Sequence, residues 1–357
     1  LANIINFSVS TSRREVENVL CLYDTIMVYF KIEFGLGQAH SGCPGSSAKV
    51  KKEKDGWAEV LDEVERLRAD GRFKTAANYL TAARSWSLYV GNKSWRFSGM
   101  TPEKMDGYQL WLCGRGLCRN TVSAYMRSLR AVYNRVTGGV GDPFRKVFTG
   151  RERTRKRSVT ADVMVRLQQL ALPSGSALEL ARDLFLFGFQ ALGMPFVDMA
   201  YLKKEQIQGD VLCYDRHKTG QHILVPVTEG MASVMRRHAS PQSDFVFPLL
   251  TEQRPEGLHR QYRHALRRYN YLLGRLSAMV GAPGRLSSYV VRHSWASIAY
   301  QHHVDIGLIG KALGHSRTST TMVYIKSLFD KDLATANEML MSEIGIGTAN
   351  KATDWQR

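Results

Sequence analysis

The sequence predicts a mainly helical protein with one small β-sheet, divided into two lobes. Three observations predict this. Apolar residues recur at helical spacing over residues 57–133 and again over 178–190. Two short runs, Val211-Leu212-Cys213-Tyr214 and His222-Ile223-Leu224-Val225-Pro226-Val227, read as strands joined by a turn over 215–221. Between the helical stretches lies Arg151-Glu152-Arg153-Thr154-Arg155-Lys156-Arg157, five basic residues in seven without apolar periodicity, which reads as a linker.

Residues 1–54 give a polar extension with no clear pattern beyond one amphipathic stretch and the basic run Lys51-Lys52-Glu53-Lys54. A helical domain follows over 55–142. Val60, Val64 and Leu67 form its first stripe, and Phe73, Ala76, Leu80, Ala83 and Trp86 its second. Thr101-Pro102-Glu103 supplies a hydroxyl cap, a proline at the first helical position and an acid in the first turn. Asn120 is read as the cap of a further helix. Val122, Tyr125, Met126, Leu129 and Tyr133 face that helix's core, while Ser123, Arg127, Arg130 and Asn134 face outward. A linker spans 143–157, a larger lobe 158–345 and a tail 346–357. In the larger lobe helices are expected over 288–300 and 305–313, the second stopped by Gly314.

The net charge of +17 is concentrated. Residues 73–157 carry 17 Lys and Arg against 4 Asp and Glu, a net +13 in 85 residues. A basic surface of that density fits a polyanion, with nucleic acid the first candidate and a ribosomal or membrane surface the alternative. Arg119, Arg127, Arg130, Arg151, Arg153, Arg155, Lys156, Arg157 and Ser123 are the candidate DNA-binding residues. The five cysteines are scattered with no CxxC pair, so no disulfide framework or zinc site is indicated. No uncharged apolar run is long enough to span a membrane, and the expected location is cytoplasmic and nucleoid-associated.

The chemistry gathers near the C-terminal end. Arg292 is followed by His315, in Leu313-Gly314-His315-Ser316, and then by Tyr324, in Ser319-Thr320-Thr321-Met322-Val323-Tyr324. A fixed guanidinium, an imidazole donor and a phenol are what phosphoryl transfer to a tyrosine requires.

These segments, with Ser288-Tyr289-Val290-Val291-Arg292-His293-Ser294-Trp295-Ala296, resemble the tyrosine recombinase (phage integrase) family. Gly193-Met194-Pro195-Phe196-Val197-Asp198-Met199-Ala200-Tyr201-Leu202 and His217-Lys218-Thr219-Gly220-Gln221 extend the resemblance upstream, to roughly residues 73–345. It implies a SAM-like core-binding domain followed by an α+β catalytic domain, together clamping duplex DNA. It also implies the roles. Tyr324 is the nucleophile, Arg292 and His315 hold the scissile phosphate, and Lys218 protonates the leaving 5′-oxygen. Tyr289, where much of the family has histidine, supports the site, and His293 buttresses it.

One departure stands out. The family's first catalytic arginine has no counterpart, because the aligned positions are Pro195 and, in the branch this chain most resembles, Leu192. Either Arg216, two residues before Lys218, reaches into the gap, or the chain is an impaired homologue that binds DNA sequence-specifically without cutting it. The reading taken is a site-specific recombinase working through a 3′-phosphotyrosyl intermediate, with no cofactor and no metal. By resemblance it is a monomer in solution, four protomers assemble on two DNA sites, and an accessory DNA-bending protein is a possible further partner. Leu328, Phe329, Leu333, Ala336 and Leu340, at helical spacing in the tail, are the candidate contact with a neighbouring protomer.

Overall fold

The computed structural model of the protein describes residues 55–152, 158–315, 317–325 and 339–344, with the side chains of 323–325 left out. The readings on residues 1–54, on Arg153, Arg155, Lys156 and Arg157, and on Leu328, Phe329, Leu333 and Ala336 therefore lie outside the described residues. Leu340 is described and is half exposed.

Four helices build the first lobe: α1 (Gly56–Ala69), α2 (Phe73–Val90), α3 (Pro102–Gly114) and α4 (Arg119–Thr137). Asp55 starts α1 by accepting from the Trp57 amide at 2.9 Å, and Thr101 starts α3 by accepting from the Lys104 amide at 3.3 Å. The stripes read from the sequence meet in one core of Val60, Val64, Leu67, Trp86, Met126 and Leu129. Trp86 is its centre, edge-on to Tyr108 at 5.2 Å and to Trp95 at 6.4 Å. Gly56 lies against the Trp95 ring, where a β-carbon would come within 2.3 Å of ring carbon. Only glycine lets α1 begin there.

Two sequence readings need correction in this lobe. Asn120 does not cap α4. The cap position is Cys118, and the Asn120 amide instead pairs both ways with the Glu152 backbone, at 2.9 and 2.8 Å. The lobe also continues past residue 142, since Phe144 and Val147 belong to its core. The linker therefore starts beyond Val147.

The second lobe is laid around α6 (Ala177–Gln190), which packs against α5 (Ala161–Gln169), α8 (Glu229–His238), α9 (Pro255–Met279) and α10 (Val290–Gln301). Its apolar run fills the core with Leu184, Phe185 and Phe187, each fully buried or nearly so. Burial of each such side chain contributes roughly 1.5–3 kcal/mol. The short helix α7 (Phe196–Ala200) leads to an antiparallel sheet of β1 (Ile207–Gln208), β2 (Val211–Asp215) and β3 (His222–Pro226), in that order. Leu212 pairs with Val225 and Tyr214 with Ile223, and these four alternate residues face the core. After α10 come α11 (Ile306–Ala312), capped by Asp305, and α12 (Thr318–Ile325). The predicted hairpin and the helices over 178–190, 288–300 and 305–313 are present within a residue or two. The sequence reading missed α9, at 25 residues the longest described helix, and the two-residue β1. Phe73 at the start of α2 stacks on His259 of α9, with ring centroids 4.9 Å apart. Among the described residues no helix is long and apolar enough to cross a membrane.

Candidate active site

Arg292 sits in the first turn of α10 and is only 2% exposed. A buried guanidinium must have its donors satisfied. One nitrogen donates to the Gly193 carbonyl at 3.1 Å, and the other donates to the Leu313 carbonyl and lies 3.4 Å from His315 Nε2. Gly193 makes this possible. Its φ is +73°, and a β-carbon there would lie 3.2 Å from Arg292 Cα and 3.3 Å from Trp295 Cβ. The residue before it, Leu192, is also left-handed at φ +55°, a conformation that strains a branched side chain. The turn after α6 is thus held against α10 despite local cost.

Arg216 follows β2 and is 7% exposed. Its guanidinium donates to the same Leu313 carbonyl as Arg292, so the two cations converge on one oxygen. Its Nε lies 2.7 Å from Asp198 Oδ2, an ion pair whose N–H is not aligned as a hydrogen bond. Asp198, on α7, is the carboxylate paired with Arg216. Burial raises its pKa, against the lowering pull of Arg216. The other carboxylate oxygen accepts from the His217 amide at 2.9 Å. Sequence reasoning quoted Asp198 but gave it no role, and only its place three residues after Pro195 would have marked it.

His315 follows Gly314, whose φ is +61° and whose missing β-carbon leaves room for Arg216 Cγ at 3.0 Å. The imidazole Nδ1 is 2.9 Å from the hydroxyl of Thr321, which is fully buried on α12. Burial first, then the charges of Arg292, Arg216 and Lys218, lower the His315 pKa to about 4. The ring is neutral at pH 7 and one nitrogen remains a donor. This has a consequence for stability. Between about pH 6.5 and about pH 4 the unfolded chain protonates this residue and the folded one does not, so stability falls as pH drops through that window. His315→Gln is expected to show a smaller fall in urea midpoint between about pH 7 and about pH 5 than the unaltered protein. An equal fall would contradict the buried neutral ring.

Lys218 lies exposed in the turn between β2 and β3. The turn is closed by the Thr219 and Gly220 amides donating to the Arg216 carbonyl at 3.1 and 2.7 Å. Tyr289 precedes α10, is 48% exposed and meets the His293 ring edge-on at 5.1 Å. Tyr324 lies one turn after Thr321 on α12, so the helix that holds His315 also carries it. Its side chain lies outside the described residues. The structure therefore gathers Arg292, Arg216 and His315 directly, sets Lys218 at the rim of the same cluster, and leaves Tyr289 at the surface. Among the described residues no group of three or more His, Cys, Asp and Glu is placed to hold a metal ion.

The outward face of α4 is only partly open. Ser123 is fully buried and donates to the Gly150 carbonyl at 2.6 Å, so it holds the outgoing chain and does not face solvent. That removes Ser123 from the candidate DNA contacts. Arg127 and Arg130 are half-buried, with side-chain nitrogens at 3.3 Å from the Ser123 carbonyl and 3.4 Å from the Thr149 hydroxyl. Arg119 is exposed over the Phe148 ring, 4.4 Å from its centroid, and Arg151 is exposed. A second basic face went unread. On α9, Arg260, Arg263, Arg267, Arg268 and Arg275 are exposed, and among the described residues none forms an ion pair. The spacing of Arg260, Arg263 and Arg267, one turn apart, was the available signal.

Comparison with known proteins agrees with this architecture. Residues 158–331 match the phage integrase family and residues 58–136 the phage integrase SAM-like domain. Tyrosine recombinase XerA of Thermococcus kodakarensis is 30% identical over 145 residues, covering 40% of this chain and 49% of that protein, so the chain spans about half of that relative. Tyrosine recombinase XerD of Shewanella oneidensis is 25% identical over 268 residues, covering 70% of this chain and 85% of XerD. Among solved structures, a lambda integrase (75–356) dimer bound to a COC′ core site shares the fold at TM-score 0.56 and 15% identity, over 75% of this chain and 94% of that one. The Tn1549 transposon integrase in complex with a circular intermediate DNA does so at TM-score 0.54 and 14% identity, over 76% and 95%. With the two family matches falling on the two lobes and the converging arginines in the second, the chain belongs to the phage integrase family of tyrosine recombinases.

Proposed function

We propose that this chain is a site-specific DNA recombinase that cuts and rejoins strands through a 3′-phosphotyrosyl link, with Arg216 in place of the absent first arginine. The observation that carries the reading is the convergence of Arg216 and Arg292 on the Leu313 carbonyl beside His315. Two guanidiniums brought together at one oxygen repel unless an anion joins them. Asp198 offsets one charge. A phosphodiester is an anion that the two converging guanidiniums and the nearby Lys218 would stabilise, more so as its charge rises in the pentavalent transition state.

The steps follow. The phosphate displaces the Leu313 carbonyl and takes paired donors from Arg292 and Arg216. His315, neutral, donates from the nitrogen not held by Thr321. The Tyr324 oxygen bonds to phosphorus and its proton passes to water. The bond from phosphorus to the 5′-oxygen breaks, and that oxygen keeps the electron pair and takes the Lys218 proton. A 5′-hydroxyl from a partner strand reverses the sequence. The covalent link conserves the phosphodiester, so no nucleotide is consumed. We further propose that four protomers act on two DNA sites, since each exchange needs two duplexes and two cuts in each.

Duplex binding would use Arg119, Arg127, Arg130, Arg151, the basic run after it and the open face of α9. Those contacts release counterions, so binding weakens with salt. Arg151→Ala is expected to reduce the slope of log affinity against log salt by about 0.9. An unchanged slope in a filter-binding titration would take Arg151 off the DNA path. The cleavage reading itself is tested with a duplex nicked beside the cutting point, which traps the covalent adduct. Failure to form one at any DNA sequence bound tightly would sink it.

A further inference from the structure

We infer that His217 is a positioning residue for strand cleavage, fixing the turn that carries Lys218 through two grips supplied by α7 and the residue after it. The first grip is the Asp198 carboxylate, which accepts from the His217 amide at 2.9 Å. The second is Tyr201, whose ring stacks on the His217 imidazole at 5.1 Å with planes 17° apart. Tyr201 is itself braced by the Tyr262 ring of α9 at 5.7 Å, so the platform belongs to the body of the lobe. Burial raises the Tyr201 pKa to about 12, which leaves it an uncharged ring.

The need for these grips lies in the turn. Residues 217–220 are exposed; the Thr219 and Gly220 amides close back onto the Arg216 carbonyl, and the Arg216 amide donates to the Gln221 carbonyl. Those bonds shape the hairpin without fixing its tip against the site. Lys218 must deliver a proton to one oxygen, and a displacement of about 1 Å costs on the order of 10²-fold in rate. His217 is adjacent to Lys218, so what immobilises its amide and ring limits where the Lys218 side chain begins. The sequence placed His217 inside a family segment without assigning it anything. The geometry gives it a task separate from that of Arg216, whose side chain turns inward.

The inference rests on Lys218 as the general acid, and the test separates the two. The nicked substrate is made twice, once with its ordinary 5′-oxygen and once with sulfur in that bridging position. A thiolate leaves unaided, its conjugate acid having a pKa near that of cysteine, about 8.5, so sulfur removes the need for a proton donor. Single-turnover adduct formation is followed for the unaltered protein, Lys218→Ala, His217→Ala and His217→Phe. His217→Ala is expected to slow roughly tenfold on the oxygen substrate and to match the unaltered protein on sulfur. His217→Phe, which keeps a ring for Tyr201, should recover most of the oxygen rate. If Lys218→Ala is slow and sulfur restores it, while His217→Ala is either not slow or not restored, the positioning role is wrong and the general acid stands. If sulfur fails to restore Lys218→Ala, the general-acid reading itself falls.

Discussion

Tyr324→Phe is expected to bind duplex DNA as tightly as the unaltered protein and to form no covalent adduct on a nicked substrate. The change removes one oxygen. A phenyl ring offers phosphorus no nucleophile, and the oxygen groups beside Arg216 and His315, the Asp198 carboxylate and the Thr321 hydroxyl, are buried and held by Arg216 and by His315 Nδ1. The loss should therefore reach the detection limit rather than a partial rate. Affinity should hold because the proposed duplex contacts on α4, the segment after it and α9 lie on other elements. Denaturing gel electrophoresis of the trapped mixture reads both outcomes. An adduct that persists in Tyr324→Phe would assign the nucleophile elsewhere, for which the 15 tyrosines of the chain leave candidates.

Arg216→Ala carries the second large effect. With Pro195 and Leu192 in place of the family's first arginine, one guanidinium is left if Arg216 is removed. Loss of one donor to a developing oxyanion costs about 10²–10³ in rate, roughly 3–4 kcal/mol. Adduct formation by Arg216→Ala is expected to fall by that factor, and Arg216→Lys to recover little. A lysine at this depth cannot span Asp198 and the Leu313 carbonyl with one planar fork. Removal also leaves Asp198 buried without its partner, which costs stability on its own. Asp198→Asn combined with Arg216→Ala controls for that, since the neutral amide has no charge to strand. If the pair recovers stability but not rate, the rate loss belongs to the guanidinium. A wild-type rate in Arg216→Ala would remove Arg216 from the chemistry and leave Arg292 as the sole arginine.

How much of this was legible depended on where each residue's information lies. The hairpin was readable because Leu212, Tyr214, Ile223 and Val225 alternate as a half-buried sheet demands. Helix α3 was readable because Thr101 and Pro102 satisfy a rule local to four residues. Asn120 obeyed the same local rule and misled, since its amide is spent on the Glu152 backbone 32 residues away. Ser123 misled likewise: a small hydroxyl on a polar face looks solvated until the chain returns over it. Helix α9 escaped notice because its core contacts, Tyr269, Leu273 and Leu276, come late in a segment whose first turns are dominated by arginine. In the site, Arg292 and His315, which the structure brings together, were read from spacing, as was Tyr324, whose side chain lies outside the described residues. Arg216 was legible only as a question, because its inward placement beside Arg292 depends on Asp198 and Leu313, 18 and 97 residues distant. The left-handed turn at Leu192 has no sequence signal, since nothing in a leucine asks for positive φ.

The most direct test is a crystal structure of Tyr324→Phe on its uncut recombination site. The scissile phosphate is expected to replace the Leu313 carbonyl as the shared acceptor, with nitrogens of both Arg216 and Arg292 about 2.7–2.9 Å from its non-bridging oxygens. Arg216 still bound to Asp198 and Leu313, with the phosphate held by Arg292 alone, would contradict it.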